Sequence, residues 1–212
     1  MREFTPLKLM VLLGLTFVSN VTMAQAGNNG SVLNPNLADE SELAGLPGLN
    51  AELAAAIIAA RPLAGNLELD AVLGGSPGDE GKAQLRAVLF LPINLNSASE
   101  DEVRLVPGID RKMMHEFDEY KPYSTLEQFR REMAKYVDAA EVARLEQYVF
   151  VPMDLNSASG DTFSTIPGMS GRMVREFEEY RPYASIEQFR REMGKYVDEN
   201  EVARLERYVF IE

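Results

Sequence analysis

The side chains that most often carry catalysis or hold metals are almost missing from this chain. Its 212 residues include one histidine, His115, and no cysteine. That excludes a thiol nucleophile, a disulfide framework and a zinc site of the usual Cys/His kind. His115 is replaced by Ala55 and Arg175 sixty residues to either side, as expected of a surface position. The acids Glu116, Asp118 and Glu119, repeated as Glu176, Glu178 and Glu179, have no matched ligand set or base partner and read as a solvated helix face. No nucleophile, base and orienting group can be assembled by spacing, so no catalytic residue, metal ligand or cofactor is expected. Phe117, Tyr120, Tyr123, Phe129, Tyr136, Tyr148 and Phe150 could stack on unpaired bases, but their helical spacing suits a packed core better. Arg130-Arg131 and Arg190-Arg191 could form a basic stripe. Glu127 and Glu187, four residues before Arg131 and Arg191, suit solvated ion pairs instead.

Charge narrows the classes further. With 33 acidic against 21 basic side chains the formal net charge is −12, which excludes a globally basic nucleic-acid binder. A hydrophobic fraction of 46% is too high for a disordered acidic tail.

These residues must be positioned by elements that recur. Residues 1–26 read as a secretory signal: Arg2 and Lys8, an apolar run from Leu9 to Val18, then Ala24-Gln25-Ala26 before Gly27. Ten residues span about 15 Å, half of the roughly 30 Å hydrocarbon core, so a permanent anchor is not expected. A linker, 27–32, leads into one unit written three times, over 33–92, 93–152 and 153–212. Leu46-Pro47-Gly48 recurs as Val106-Pro107-Gly108 and Ile166-Pro167-Gly168, and Pro62, Pro122 and Pro182 keep the same step. The second and third copies are closely alike; the first keeps the landmarks but few of the side chains.

Each copy reads as four short helices. In the middle copy Ser97 and Ser99 precede Glu100 and Glu102 at capping-box spacing, and Pro107 ends that helix. Met113, Phe117 and Tyr120 share a face of the second helix. Ser124 and Thr125 open a third helix with Leu126, Phe129 and Met133 on its apolar face. Asp138 opens a fourth holding Val142, Leu145 and Val149. No alternating strand pattern appears, so the expected fold class is all-α.

The run Ile93-Asn94-Leu95-Asn96-Ser97-Ala98-Ser99, followed by Val106-Pro107-Gly108-Ile109, Glu119-Tyr120 and Pro122-Tyr123, resembles the ComEA-type tandem helix-hairpin-helix family of competence DNA receptors. The likeness covers nearly the whole chain after the signal, three times over. That family also has protein-binding members, such as an extrinsic subunit of photosystem II. The resemblance implies a Gly-hydrophobic-Gly hairpin whose backbone N–H groups, with the next helix start, face a DNA phosphate. Such contacts position a duplex without reading its bases.

Carried over residue by residue, Gly48, Gly108 and Gly168 match the first glycine, followed by Leu49, Ile109 and Met169. Asn50, Asp110 and Ser170 stand where the second glycine belongs, and these residue types are strong helix caps. The cradle implied in copy three is Gly168, Met169, Ser170, Gly171 and Arg172 with Arg175. In copy two it is Gly108, Ile109, Arg111 and Lys112, opposed by the Asp110 charge. Copy one has no basic residue between Glu52 and Arg61. The second hairpins, Tyr136-Val137-Asp138 and Tyr196-Val197-Asp198, read as structural turns. No copy is basic: 3 basic against 8 acidic groups in the first, and 8 against 12 in each of the others. Two functions are therefore expected. One is an exported, periplasmic or secreted non-catalytic protein that holds the DNA backbone weakly. The other is a structural scaffold of the envelope that engages a protein partner.

Overall fold

A computed structural model describes residues 31–212; the expected signal segment and most of the linker lie outside the described residues. The described chain is mostly helical, in keeping with an all-α class. Its helices form three successive quartets. The first is α1 (Glu40–Ala44), α2 (Ala51–Ala59), α3 (Asn66–Leu73) and α4 (Asp79–Arg86); the second is α5 (Glu100–Arg104), α6 (Arg111–Glu119), α7 (Leu126–Met133) and α8 (Ala139–Glu146). The third is α9 (Gly160–Phe163), α10 (Gly171–Glu179), α11 (Ile186–Met193) and α12 (Glu199–Glu206).

The breaks fall where side-chain chemistry puts them. Ser99 caps α5 by accepting from the Glu102 N–H, while the Glu102 carboxylate accepts from the Ser99 N–H. Asp110, Thr125 and Asp138 cap α6, α7 and α8 through their side-chain oxygens. Each such cap stabilises its helix by about 1 kcal/mol relative to alanine. Tyr120 closes α6 because Lys121, held before Pro122, disfavours helical geometry.

The two polar side chains that open each repeat, Asn34 and Asn36, Asn94 and Asn96, and Asp154 and Asn156, do different jobs. Asn94 Oδ1 accepts from the Asn96 N–H at 2.9 Å, forming an Asx turn. Asn96 commits both ends of its amide to one distant residue. Its Nδ2 donates to the Tyr123 carbonyl at 2.9 Å, and its Oδ1 accepts from the Tyr123 N–H at 2.7 Å. Asn36 holds Leu63 and Asn156 holds Tyr183 in the same way. Each clamp closes the chain around the first two helices of its quartet and the turn between them.

The end of each quartet also returns to its beginning. Strand β1 (Ile93–Asn94) pairs in parallel with β2 (Val149–Phe150), β3 (Met153–Asp154) pairs with β4 (Val209–Phe210), and Leu33 bridges Leu89. A parallel pair needs a long crossover, and here the quartet itself supplies it. Two residues are too few to show alternation, so these ladders leave no strand signal in the sequence.

Three hydrophobic clusters follow, one per quartet, and the connecting segments join them. Phe90, at the end of the first repeat, is buried in the second cluster, and Phe150 is buried in the third. Phe90 meets Tyr148 edge-on at 5.1 Å between ring centres; Phe150 meets Tyr208 at 4.6 Å. Phe210, the third member of this series, is 40% exposed. No helix among the described residues is long and apolar enough to cross a membrane.

Two sequence expectations are corrected. Glu116 does not lie on a solvated face: it is only 6% exposed, because its place between Met113 and Tyr120 turns it toward the core. Arg131 bonds Glu132 rather than Glu127, and Arg130 reaches across to Glu146 on α8 with two hydrogen bonds of 2.6 Å. A bidentate pair between helices fixes geometry better than a single pair along one helix.

Shared aromatic burial predicts unequal mutant effects. Phe90→Ala and Phe150→Ala each lower unfolding free energy by about 3–5 kcal/mol in urea titrations. Phe210→Ala stays within about 0.5 kcal/mol of the parent, as at other exposed sites.

Candidate functional site

Each Pro-Gly turn has the chemistry of a type II turn. Pro107 fixes the second position and Gly108, with φ +71°, takes the left-handed third position that favours glycine. The Ile109 N–H closes the turn on the Val106 carbonyl at 3.2 Å, and Met169 does so on Ile166 at 2.9 Å. Ile109 and Met169 then turn inward against the second and third clusters, leaving Asp110 and Ser170 to start the next helix.

Gly48, Gly108 and Gly168 are exposed, but the protein's own side chains stand beside each of them. Arg144, on α8, donates Nη1 to the Pro107 carbonyl at 2.6 Å, while Glu141 holds the same guanidinium at 2.6 and 2.7 Å. A Cβ built on Gly108 would stand 3.2 Å from Arg144 Nη2. In the third quartet Arg204, 3% exposed, donates to the Pro167 carbonyl. A Cβ on Gly168 would lie 2.9 Å from Leu37 Cδ2, a side chain of the first quartet. Pro77 plays the covering part over Gly48, where a Cβ would lie 3.0 Å from its Cγ. The positive φ, +82° at Gly48, +71° at Gly108 and +74° at Gly168, is what favours glycine at all three turns.

The helix starts are different. A helix exposes N–H groups in its first turn that have no partner within it. Asp110 accepts from the Met113 N–H at 2.7 Å, and Ser170 from the Met173 N–H at 3.2 Å. Each cap therefore uses one amide and leaves those before it. The N–H groups of Arg111 and Lys112 on α6, and of Gly171 and Arg172 on α10, have no acceptor among the described residues. Space over Gly171 is open, since nothing lies within 4 Å of its built Cβ. At α6 the nearest charge to those amides is the Asp110 carboxylate; at α10 it is a neutral hydroxyl.

Basic side chains gather at the same ends. Arg172 lies over the Tyr196 ring at 5.1 Å and 4.0 Å from Glu176; Lys112 lies over Tyr136 at 5.0 Å. Tyr120 and Tyr136 share a hydrogen bond of 2.8 Å, matched by Tyr180 and Tyr196, so each tyrosine pair ties the C-terminal end of α6 or α10 to the second turn of its quartet. That bond pushes the Tyr136 and Tyr196 hydroxyls above the usual phenol range. Arg111 and Arg175 are exposed, and neither meets a carboxylate among the described residues.

Of the ten residues suggested by the sequence, the structure brings Gly171, Arg172, Arg175 and the Ser170 hydroxyl together at one open helix start. Arg111 and Lys112 occupy the matching start beside Asp110. Gly108 and Gly168 are exposed beside Arg144 and Arg204, and Ile109 and Met169 face the core. Sequence reasoning missed Arg144 and Arg204. A signal was present: Glu-Val-Ala-Arg-Leu-Glu recurs identically in the second and third copies, with Gln84 in the arginine position of the first. Comparison with family models, curated proteins and solved structures finds no match to this chain. Among the described residues no group of three or more His, Asp or Glu side chains is placed to hold a metal ion.

The lock on Gly108 is pH-sensitive. Hydrogen bonds from Arg144 hold the Glu141 carboxyl below the usual glutamate range. With the folded value lowered, the stabilisation is present above the unfolded pKa and disappears as pH falls through the folded one. The Glu141 carboxyl carbon therefore titrates by NMR below an ordinary glutamate, and the Arg144 side-chain signals and the Gly108 amide shift with the same midpoint.

Proposed function

We propose that this chain is an exported, non-catalytic binding protein that holds the phosphate backbone of nucleic acid at the start of α10, weakly and without reading bases. The observation that supports this most directly is the open end of α10. Two amides without acceptors, clear space at the Gly171 Cβ position and the exposed cations Arg172 and Arg175 all belong to the first five residues of one helix. Free N–H groups and the positive end of the helix dipole favour an anion there. The start of α6 is the weaker second contact, because Asp110 opposes a phosphate beside Arg111 and Lys112.

Affinity is limited by the charge around this site. The third repeat carries 12 acidic against 8 basic groups, and one of the acids, Glu176, is 4.0 Å from Arg172. In physiological salt, charges beyond about 8 Å are largely screened, so the local cations still act while distant acids fade. Resemblance to the ComEA-type helix-hairpin-helix family supports DNA as the source of the phosphate and the cell exterior or periplasm as the place.

A second reading is an envelope scaffold that binds a protein partner. The arginine contacts at the turns favour it, since Arg144 and Arg204 spend their guanidinium groups on the Pro107 and Pro167 carbonyls and on Glu141 and Glu201.

Fluorescence anisotropy with a labelled duplex separates the two. On the first reading binding weakens as salt rises, with a log–log slope of about −2 if two phosphates are neutralised. Arg172→Glu and Arg175→Glu each weaken it at least about tenfold at low salt. A flat titration at low salt leaves only the scaffold.

A further inference from the structure

The second quartet carries a cavity at its first two helices. It measures about 370 Å³ and is lined by Ala98, Val103 and Met114, with a polar wall of Glu100, Arg111, His115, Asp118 and Lys121. A dry cavity of about 150 Å³ already admits benzene, so a ring fits. Two sequence differences bear on its shape. Where the second quartet has Val103, the third has Phe163, whose fully buried ring meets Phe177 at 5.1 Å. Where the second has Lys121, the third has Arg181, which lies over the Phe163 ring at 5.0 Å and donates to both the Leu155 and Ala158 carbonyls. Lys121 reaches one backbone carbonyl, that of Ala98 at 3.2 Å, and pairs with Asp118. Met114 stands where the third quartet has Val174 and takes back part of the volume, with a side chain suited to adapting around a guest.

We infer that this cavity is a docking pocket for an aromatic side chain of a protein partner, one that carries a carboxylate beside its ring. The third quartet supplies the template, for there Phe163, at the sequence position of Val103, places a phenyl ring beneath Arg181. In the second quartet Lys121 takes the place of that cation. The apolar floor of Ala98, Val103 and Met114 suits the face of a phenyl or phenol ring better than the polar edge of a base. The rim fixes the sign of the neighbouring group. Lys121 pairs with Asp118 at 3.0 Å, Glu100 with Arg104 at 2.5 Å, and His115 lies 3.6 Å from Glu119. Arg111 has no carboxylate among the described residues and is the cation left to receive one.

The probe is N-acetyl-phenylalanine, titrated into the full chain with methyl-labelled Met and Val observed by NMR. Saturable shifts are expected at the Met114 and Val103 methyls and not at Met173 or Val174. Val103→Phe combined with Lys121→Arg rebuilds the third quartet's arrangement, so this variant melts no lower than the parent and binds the probe at least about tenfold more weakly. Arg111→Glu weakens N-acetyl-phenylalanine while leaving its carboxamide analogue unchanged. Absence of saturable shifts at Met114 overturns the assignment. So does full binding by the filled variant, or equal binding of adenosine monophosphate at the same methyls.

Discussion

A single asparagine amide, used at both ends, is the constraint on which each repeat depends. Asn96 gives its donor and its acceptor to the backbone of Tyr123, as another strand would, and thereby fixes α5, the Pro-Gly turn and α6 as one closed piece. Asn36 and Asn156 repeat the arrangement on Leu63 and Tyr183. The helices inside the clamp are only five and nine residues long in the second quartet, too short to be stable alone in water. Their order comes from the closed loop and from the cluster beneath it. Each short parallel ladder then brings the end of the fourth helix back to the clamp, and the buried connection carries one phenylalanine into the neighbouring cluster.

This construction decides which part of the turn can meet an outside group. The clamp brings the fourth helix close enough for Arg144 or Arg204 to reach the proline carbonyl beside the glycine. The first amides of the following helix take no part in that contact and have no acceptor among the described residues. A side-chain cap does not close them, because its oxygen reaches only the third helical residue. The difference between α6 and α10 is then one of charge. Asp110 places a carboxylate where Ser170 places a hydroxyl, and Coulomb repulsion at a few ångströms is strong enough to decide between the two starts.

Local chemistry was the legible part. Caps at Asp110, Ser170 and Asp138, the turn at Pro107-Gly108 and the helix stop before Pro122 all follow from residues within four positions of the event. Contacts over longer distances were not readable. Arg144 lies 37 residues from the carbonyl it holds, and Leu37 meets Gly168 only because of how the first and third quartets pack. Glu116 was misread for a different reason: acidic neighbours at 118 and 119 suggested a wet face, although its spacing from Met113 and Tyr120 put it on the buried side. The unpaired cations, Arg111 and Arg175, were legible as residues but not as unpaired, since that depends on where every nearby acid turns.

The central proposal is that the two amides at the start of α10 are the anion-facing groups of this protein and that the exposed glycines Gly108 and Gly168 are not. Backbone N–H shifts followed by NMR during titration with a short DNA duplex test it most directly. The account predicts saturable shifts at Gly171 and Arg172, smaller ones at Arg111 and Lys112, and none at Gly108 or Gly168. Shifts led by Gly108 and Gly168, or no shift at Gly171 and Arg172 at low salt, would contradict it.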